Sequence, residues 1–196
     1  MLTLIRHGQT QWSETGRHTG RTDVPLTDEG ERQARRIGDM LTPRRFALAL
    51  TSPLQRARRT AELAGLQDLQ VDGDLVEWDY GGYEGMTTAE ISADLGRSWT
   101  VFSDGVRPGA TPGESLEQVA QRAERVLARV RPVLARGADV VVVGHGHQLR
   151  VLAARWLQLA PAAGALLRLS AGSLSRLGFE HDLPAIDLWN RTLDVT

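Results

Sequence analysis

The chain has 196 residues, a formal net charge of −1 and no cysteine, and this length suits a single domain with a well-buried core. The small net charge does not favour a nucleic-acid or membrane-surface partner, and the missing cysteines exclude disulfides, a cysteine nucleophile and zinc sites built on thiolates. The sequence contains neither a leader pattern nor an apolar run long enough to span a bilayer, so we expect a cytoplasmic protein.

Lysine is absent, and this absence limits how an anion can be bound. The 23 Lys and Arg residues are all arginine, which excludes a Schiff-base lysine and the phosphate-binding lysine of a P-loop. An anion must therefore be held by arginine, histidine, backbone N–H groups or a helix N-terminus. Arginine suits phosphate because its planar guanidinium donates two parallel hydrogen bonds and is always charged.

The first apolar run, residues 1–5, predicts a buried strand that ends at Arg6, His7 and Gly8. Ligands bind at the carboxyl ends of strands in α/β sheets, and Gly8 lets the backbone turn sharply there. An arginine beside a histidine at this place suggests an anion with a nucleophile or base. The alternative is a surface pair after an edge strand.

A polar loop and a helix follow this strand. The loop, residues 11–26, is long enough without an obvious regular pattern to suggest part of a site. Thr27 is the expected N-cap of the helix, and the apolar stripe predicts a helix end near Thr42 and Pro43.

The second apolar strand is predicted at residues 46–50. Ser52 as N-cap and Pro53 at the first helical position then indicate a helix that closes at Gly65.

Three arginines lie near the start of this helix: Arg56, Arg58 and Arg59. Free N–H groups and the positive end of the helix dipole favour an anion there. Helical spacing does not tell which arginine faces the strand ends, and a solvated basic face is the alternative.

The middle of the chain is predicted to contain a loop region and two helices. Residues 71–83 are acidic and glycine-rich but too aromatic for a linker. A short helix is predicted over residues 88–95, capped by Gly96. A capping box of Ser115 and Gln118 then opens a long periodic helix, in which Pro132 is expected to kink the helix or mark its last turn.

A third strand, residues 139–143, is apolar on both faces, as central parallel strands are. It leads directly into His145 and His147, and a helix is predicted over residues 148–159. Two short alternating runs, residues 174–179 and 185–189, predict outer strands.

Three predicted strands thus end in residues that can handle an anion: Arg6 with His7, then Arg56, then His145. Neighbouring parallel strands bring such ends together. A carboxylic acid is needed to protonate a departing alkoxide, and Glu77 lies in the most site-like of the remaining loops. The set suits phosphoryl transfer through a histidine nucleophile, because nearby positive charge keeps His7 unprotonated and stabilises the transferring group.

Five blocks of sequence, in order, resemble the signature of the histidine phosphatase superfamily, which includes cofactor-dependent phosphoglycerate mutases. The blocks lie at residues 6–10, 19–27, 52–57, 75–85 and 143–146 and span most of residues 1–150. The resemblance implies a single histidine phosphatase domain over residues 1–196. It also implies an α/β fold of the phosphoglycerate mutase type: a three-layer α/β/α sandwich whose mostly parallel sheet carries helices on both faces.

The resemblance also assigns roles. His7 becomes the phosphorylated nucleophile, and Glu77 the proton donor that later activates water. The phosphoryl oxygens are bound by Arg6, Arg56 and His145. The expected substrate-binding residues are Ser13, Thr19, Gly20, Tyr80 and Gly146; the family often has asparagine where Ser13 stands. No metal and no cofactor are expected.

Several alternatives stay open. Residues 72–76 fit the Asp-x-Asp-x-Val pattern of aspartyl phosphatases, although that motif needs a lysine elsewhere. His145 and His147 could form a metal pair, but no third ligand lies at a recognisable spacing. A structural or solvent-facing His147 is the preferred interpretation, and His18 is either a substrate contact or an exposed loop residue.

Two further alternatives concern function. A non-catalytic phosphate-binding module is disfavoured because His7 and Glu77 are both present. A mutase needs cations for a second phosphate, and residues 78–114 contain only Arg97 and Arg107. We therefore expect a phosphatase for small phosphorylated metabolites. Its short sequence motifs resemble those of acid-phosphatase-like and sugar-phosphate phosphatases. The residues set neither the physiological substrate nor the oligomeric state.

Overall fold

A computed structural model describes residues 1–41 and 45–193. The strands are β1 (Leu2–Arg6), β2 (Leu48–Thr51), β3 (Leu69–Val71), β4 (Val140–Gly144), β5 (Leu174–Glu180) and β6 (Leu183–Arg191). They form a six-stranded sheet in the order β3-β2-β4-β1-β5-β6. The pairs β1–β4, β2–β4 and β2–β3 are parallel, whereas β5 is antiparallel to β1 and β6 is antiparallel to β5.

The parallel half of the sheet brings three strand ends to one edge. Ile5 of β1 and Thr51 of β2 both pair with Val143 of β4. Every residue of β4 is buried, as its run of valines predicts. The segments that follow β1, β2 and β4 therefore start side by side.

The helices are α1 (Gln11–Glu14), α2 (Asp28–Leu41), α3 (Gln55–Leu63), α4 (Thr88–Leu95), α5 (Val101–Asp104), α6 (Leu116–Leu134) and α7 (Gly146–Trp156). Helices α2 and α3 pack on one face, where Ile37 and Ala61 meet Val141. Helices α6 and α7 pack on the other, where Val126 meets Val142. This arrangement confirms the three-layer sandwich. None of the described helices is both long and apolar enough to cross a bilayer.

The predicted caps on the second half of the chain are confirmed. Helix α4 has the predicted bounds and ends at Gly96, whose φ of 65° is left-handed. Ser115 and Gln118 form the capping box of α6. Pro132 lies in the last turn of that helix.

The predicted start of α3 is wrong. The helix begins at Gln55, and Leu54 rather than Ser52 is its N-cap residue. The hydroxyl of Ser52 lies instead 2.7 Å from Nε2 of His145. The carboxylate of Asp23 accepts a hydrogen bond from the backbone N–H of Gln55 at 2.8 Å. This helix N-terminus is therefore capped by a carboxylate from the long loop.

Other differences are local. Helix α1 lies inside the predicted loop, where Thr10 and Ser13 form a capping box, and β3 was not predicted. Helix α7 begins two residues earlier than predicted and ends at Trp156. The predicted end of α2 near Thr42 and Pro43 lies outside the described residues.

Candidate active site

His7 is the first residue after β1, and hydrogen bonds fix both its backbone and its ring. Its backbone N–H donates to the carbonyl of Gly144 at 3.0 Å. Its Nδ1 lies 2.8 Å from the carbonyl oxygen of Gly8. A carbonyl oxygen only accepts, so Nδ1 carries the proton and Nε2 keeps its lone pair. Gly8 is close-packed, because a Cβ there would lie 2.2 Å from the carbonyl oxygen of Gly30.

The His7 ring is buried and neutral. Burial is the main cause that lowers the pKa of His7 well below its usual value, and the charges of Arg56 and Arg6 lower it further. From the sequence, only the nearby positive charges were expected to keep His7 unprotonated. Exclusion of water is the larger effect, and it acts in the same direction.

Arg6 reaches the site from the last position of β1. Its Nη1 donates to the carbonyl of Leu169 at 2.5 Å, while its buried Nε has no hydrogen-bond partner among the described residues. A Cβ on Gly146 would lie 3.2 Å from the guanidinium carbon of Arg6. Glycine at position 146 therefore leaves room for this guanidinium beside the start of α7.

Arg56 is the arginine of α3 that faces the strand ends. It is completely buried, whereas Arg58 and Arg59 are exposed. Its Nε lies 3.2 Å from Nδ1 of His145. Its other nitrogens donate to the carbonyl groups of Thr19, Gly20 and Thr22 at 2.9 to 3.1 Å. Arg56 thus anchors the long loop and carries positive charge beside the histidines.

His145 follows β4 and is completely buried. Because the Nε–H group of Arg56 donates to Nδ1, the proton lies on Nε2, which donates to Ser52 at 2.7 Å. The ring centroids of His145 and His7 are 5.1 Å apart. Burial, followed by the charge of Arg56, lowers the pKa of His145 well below its usual value.

Glu77 places a carboxylate at the N-terminus of α7. Its oxygens accept hydrogen bonds from the backbone N–H groups of Trp78, His147 and Gln148 at 2.9 to 3.0 Å. The side chain is buried, with 5% exposure. These three backbone donors hold the carboxyl group against rigid parts of the fold.

A cavity of about 160 Å³ is lined by Arg6, His7 and Glu77. Of the predicted site residues, those that line it are Arg6, His7, Ser13, Thr19, Glu77, Tyr80 and Gly146. Arg56 and His145 lie behind His7 and outside the lining, and the N–H group of Gly20 is bound to the Glu84 carboxylate at 2.9 Å. We call Arg6, His7, Arg56, Glu77 and His145 the inner pocket.

The chain matches a known protein family over nearly its whole length. A model of the histidine phosphatase superfamily (branch 1) matches residues 2–192. The chain belongs to the histidine phosphatase superfamily. The aspartyl phosphatase alternative is therefore wrong. Its two aspartates have other partners, since Asp72 pairs with Arg129 and Asp74 with Arg125.

Similar proteins narrow the class. An acid phosphatase from Mycobacterium tuberculosis is 41% identical over 182 residues, covering 92% of this chain and 87% of that protein. A 2,3-bisphosphoglycerate-dependent phosphoglycerate mutase from Gloeobacter violaceus is 37% identical over 172 residues, covering 82% and 77%. A solved structure of a Mycobacterium tuberculosis open reading frame has a TM-score of 0.90 at 39% identity and 97% coverage of both chains. The chain is a phosphatase of this superfamily.

In this histidine phosphatase, the wall beyond the inner pocket comes from other segments. We call Arg17, His18, Tyr80, His147 and Arg150 the outer pocket; all five line the cavity. The Tyr80 hydroxyl lies 2.6 Å from Nδ1 of His147, and the His18 ring lies 4.8 Å from the Tyr80 ring. His18 and His147 are half-buried cavity residues, so neither is a free surface side chain.

The two outer histidines are neutral. Burial lowers the pKa of His18 to about 4. Burial also lowers the pKa of His147 well below its usual value, and the charge of Arg150 acts in the same direction. The ring nitrogens of His145 lie within hydrogen-bond distance of Arg56 and Ser52. The ring of His147 instead contacts the Tyr80 hydroxyl through Nδ1. No cluster of three or more potential metal-binding side chains occurs within residues 1–41 and 45–193.

Arg17 and Arg150 line the cavity, but neither was predicted as a site residue from the sequence. The Nη1 of Arg17 donates to the carbonyl of Gly85 at 2.7 Å and lies 3.3 Å from Glu90. The Nε of Arg150 donates to the carbonyl of Gly164 at 2.9 Å. A signal for Arg150 was available, since it lies four residues after Gly146 and thus on the same face of α7.

Proposed function

We propose that this phosphatase hydrolyses small phosphomonoesters through a phosphohistidine formed on Nε2 of His7. The observation that supports this proposal most directly is the hydrogen bond from Nδ1 of His7 to the Gly8 carbonyl, because it leaves the Nε2 lone pair free for the substrate. The lowered pKa of His7, caused mainly by burial, keeps that lone pair free at neutral pH. A neutral, positioned imidazole beside arginines is what attack on a phosphate dianion requires.

In this proposal, the phosphoryl group is bound by the positive side of the inner pocket. The charges of Arg6, which lines the cavity, and of Arg56 neutralise the dianion. Both act on charge that spreads over the phosphoryl oxygens in the transition state. His145 supports the site by holding the Arg56 guanidinium through Nδ1.

Glu77 is the proposed acid and base. In the first step, the bond between His7 Nε2 and phosphorus forms, the ester P–O bond breaks, and protonated Glu77 gives its proton to the leaving oxygen. In the second step, Glu77 takes a proton from water, the water oxygen bonds to phosphorus and the N–P bond breaks. Inorganic phosphate leaves, and the protonated acid is restored.

The remaining predicted contacts are assigned to the substrate beyond the phosphate. Ser13, Thr19 and Tyr80 line the cavity at this side, and Gly146 leaves room for Arg6. Gly20 is assigned a supporting role, because its carbonyl accepts a hydrogen bond from Arg56 at 3.0 Å.

Arg150 favours substrates with a second anionic group. The structure records no ion pair for this half-buried arginine among the described residues, and its guanidinium lies 4.7 Å from the centre of the Phe102 ring. Burial lowers the pKa of Arg150, while the charge of Glu77 raises it. A cation that has no ion-pair partner among the described residues and lies in a cavity wall attracts an anion, so we expect bisphosphates and phosphorylated acids to be preferred over esters of uncharged alcohols.

The mutase is the second candidate, because Arg150 could hold a second phosphate. Arg97 and Arg107, the two arginines in the stretch where a mutase needs cations, pair with Asp104 and Asp94. Neither lines the cavity. We therefore expect water to compete successfully for the phosphoenzyme.

Product analysis tests this choice. Purified protein is incubated with 3-phosphoglycerate and its bisphosphate cofactor, and in parallel with simple phosphomonoesters. We expect release of inorganic phosphate, with little interconversion of 2- and 3-phosphoglycerate. Efficient interconversion with negligible phosphate release would make the enzyme a mutase.

The proposed partner is thus a small phosphorylated metabolite. A cavity of about 160 Å³ suits such a molecule, and the net charge of −1 does not favour nucleic acid. We place the activity in the cytoplasm, where phosphorylated metabolites are made and consumed. The proposal assigns no metal and no cofactor.

A further inference from the structure

A buried ion pair between Arg122 and Glu114 lies behind the segment that carries Glu77. Arg122 projects from α6 and is 7% exposed. Its Nε and Nη2 donate to the two carboxylate oxygens of Glu114 at 2.8 and 2.9 Å. This two-bond geometry fixes both side chains relative to each other.

Arg122 holds the chain on the N-terminal side of Glu77. Its Nη1 donates to the carbonyl oxygens of Asp74 and Val76 at 2.7 and 3.0 Å. The second carbonyl belongs to the peptide that enters Glu77. The position of that peptide therefore depends on the guanidinium.

Glu114 holds the chain on the C-terminal side of Glu77. Its Oε2 accepts a hydrogen bond from the backbone N–H of Asp79 at 2.9 Å. Its carbonyl accepts one from the indole N–H of Trp78 at 2.8 Å, and its own N–H donates to the Asp79 carbonyl at 3.0 Å. The two residues after Glu77 are thus attached to the same ion pair.

We propose that Arg122 and Glu114 are positioning residues that fix Glu77 for proton transfer. Neither side chain lines the cavity, so both act through the backbone on the two sides of Glu77. A general acid must lie within hydrogen-bond reach of the leaving oxygen, and a displacement of about 1 Å can cost on the order of 10²-fold in rate. The inference rests on the proposed function, because it requires Glu77 to be the acid.

The test compares Arg122→Lys with Arg125→Lys. Lysine keeps the charge at position 122 but lacks the planar fork that reaches Glu114 and both carbonyls together. Arg125 lies on the same helix and binds the Asp74 carboxylate in an exposed pair, so it is the matched control. Both variants are assayed with an alkyl and an aryl phosphate after thermal unfolding has shown that they fold.

Arg122→Lys is expected to lower kcat/KM for the alkyl ester by about tenfold or more. The loss on the aryl ester is expected to stay within about twofold, since a phenolate leaves without a proton. Arg125→Lys is expected to match the wild type on both esters. Glu114→Gln is the second variant and should show the same contrast, because it removes the charge that holds Arg122.

The same substitution in a Glu77→Gln background separates positioning from general structural damage. With the acid already removed, Arg122→Lys should cost no further activity on either ester. Equal losses on both esters, a further loss in the Glu77→Gln background, or unchanged alkyl activity in both Arg122→Lys and Glu114→Gln would overturn the positioning role. If Glu77→Gln itself treats the two esters alike, Glu77 is not the general acid and this inference fails with that assignment, whereas hydrolysis through His7 is tested separately by the covalent intermediate.

Discussion

The inner and outer pockets share one cavity but are built differently. In the inner pocket, His7, Arg56 and His145 follow three neighbouring parallel strands, and Glu77 is held by backbone N–H groups of α7. In the outer pocket, His18 and His147 are held through side-chain contacts with Tyr80. The carboxyl ends of paired strands move little, whereas contacts between individual side chains change with single substitutions. We therefore expect the inner pocket to set the chemistry and the exchangeable side chains of the outer pocket to select the substrate.

The two pockets also differ in charge. The inner pocket sets Arg6 and Arg56 beside one carboxylate, Glu77. The outer pocket offers neutral imidazoles of lowered pKa and the charge of Arg150, which has no ion-pair partner among the described residues. Substitutions of Arg6, His7 or Arg56 should therefore lower the rate for every substrate, whereas those in the outer pocket should change how substrates with and without a second anionic group are ranked.

Glu77→Gln is expected to give the largest effect that depends on the leaving group. Loss of general acid catalysis lowers rates by roughly 10²–10⁴-fold, and an alkoxide needs the proton more than a phenolate does. Steady-state kcat/KM on matched alkyl and aryl phosphates measures the difference. Equal losses on both would mean that Glu77 is not the general acid.

Arg150→Met tests the outer pocket. A charged hydrogen bond contributes about 1.5–3 kcal/mol, so kcat/KM for a bisphosphate should fall by about 10- to 100-fold. An aryl phosphate without a second anion should be hydrolysed nearly as before. Arg155→Met is the matched control, since Arg155 lies on the same helix and pairs with Glu124 at 2.8 Å. Parallel losses on both substrates would place Arg150 in the reaction rather than in substrate selection.

The difference between the pockets also explains what the sequence could predict. Arg6, His7 and His145 stand directly after apolar runs, and strand ends that share an edge meet in space. The residues of the inner pocket could therefore be predicted from the apolar runs that form the strands, together with the family motifs. Arg17 is brought to the cavity by contacts with residues 85 and 90, and no local pattern encodes such contacts.

The same reasoning accounts for the start of α3. Ser52 and Pro53 form a strong local helix-start signal, but the Ser52 hydroxyl is taken by His145, 93 residues away in the chain. The cap comes from Asp23 instead. Tertiary contacts overrode a local preference at the site itself, where the side chain has another use.

The pH dependence of stability gives the smallest expected effect. The pKa of His18 is about 4 in the folded protein and about 6.5 in an unfolded chain. Between these values the unfolded chain binds the extra proton, so the free energy of unfolding falls as the pH drops from 6.5 towards 4. His18→Gln should reduce this slope by up to about 1.4 kcal/mol per pH unit.

Urea unfolding at a series of pH values measures that slope. The control is His181→Gln, at a side chain that is 89% exposed and remote from the cavity lining. A slope that is the same in His18→Gln and the wild type would mean that the His18 ring is solvated, and the outer pocket would then be more open than described.

The most direct test of the account is the covalent intermediate. Protein mixed with a ³²P-labelled aryl phosphate is quenched within the first turnover, and the label is examined for stability and position. The account predicts a phosphoramidate that is labile in acid and stable in alkali, located on His7 by peptide mapping, and absent from a folded His7→Ala variant that no longer turns over. A label on an acidic side chain, or full labelling and turnover in His7→Ala, would contradict it.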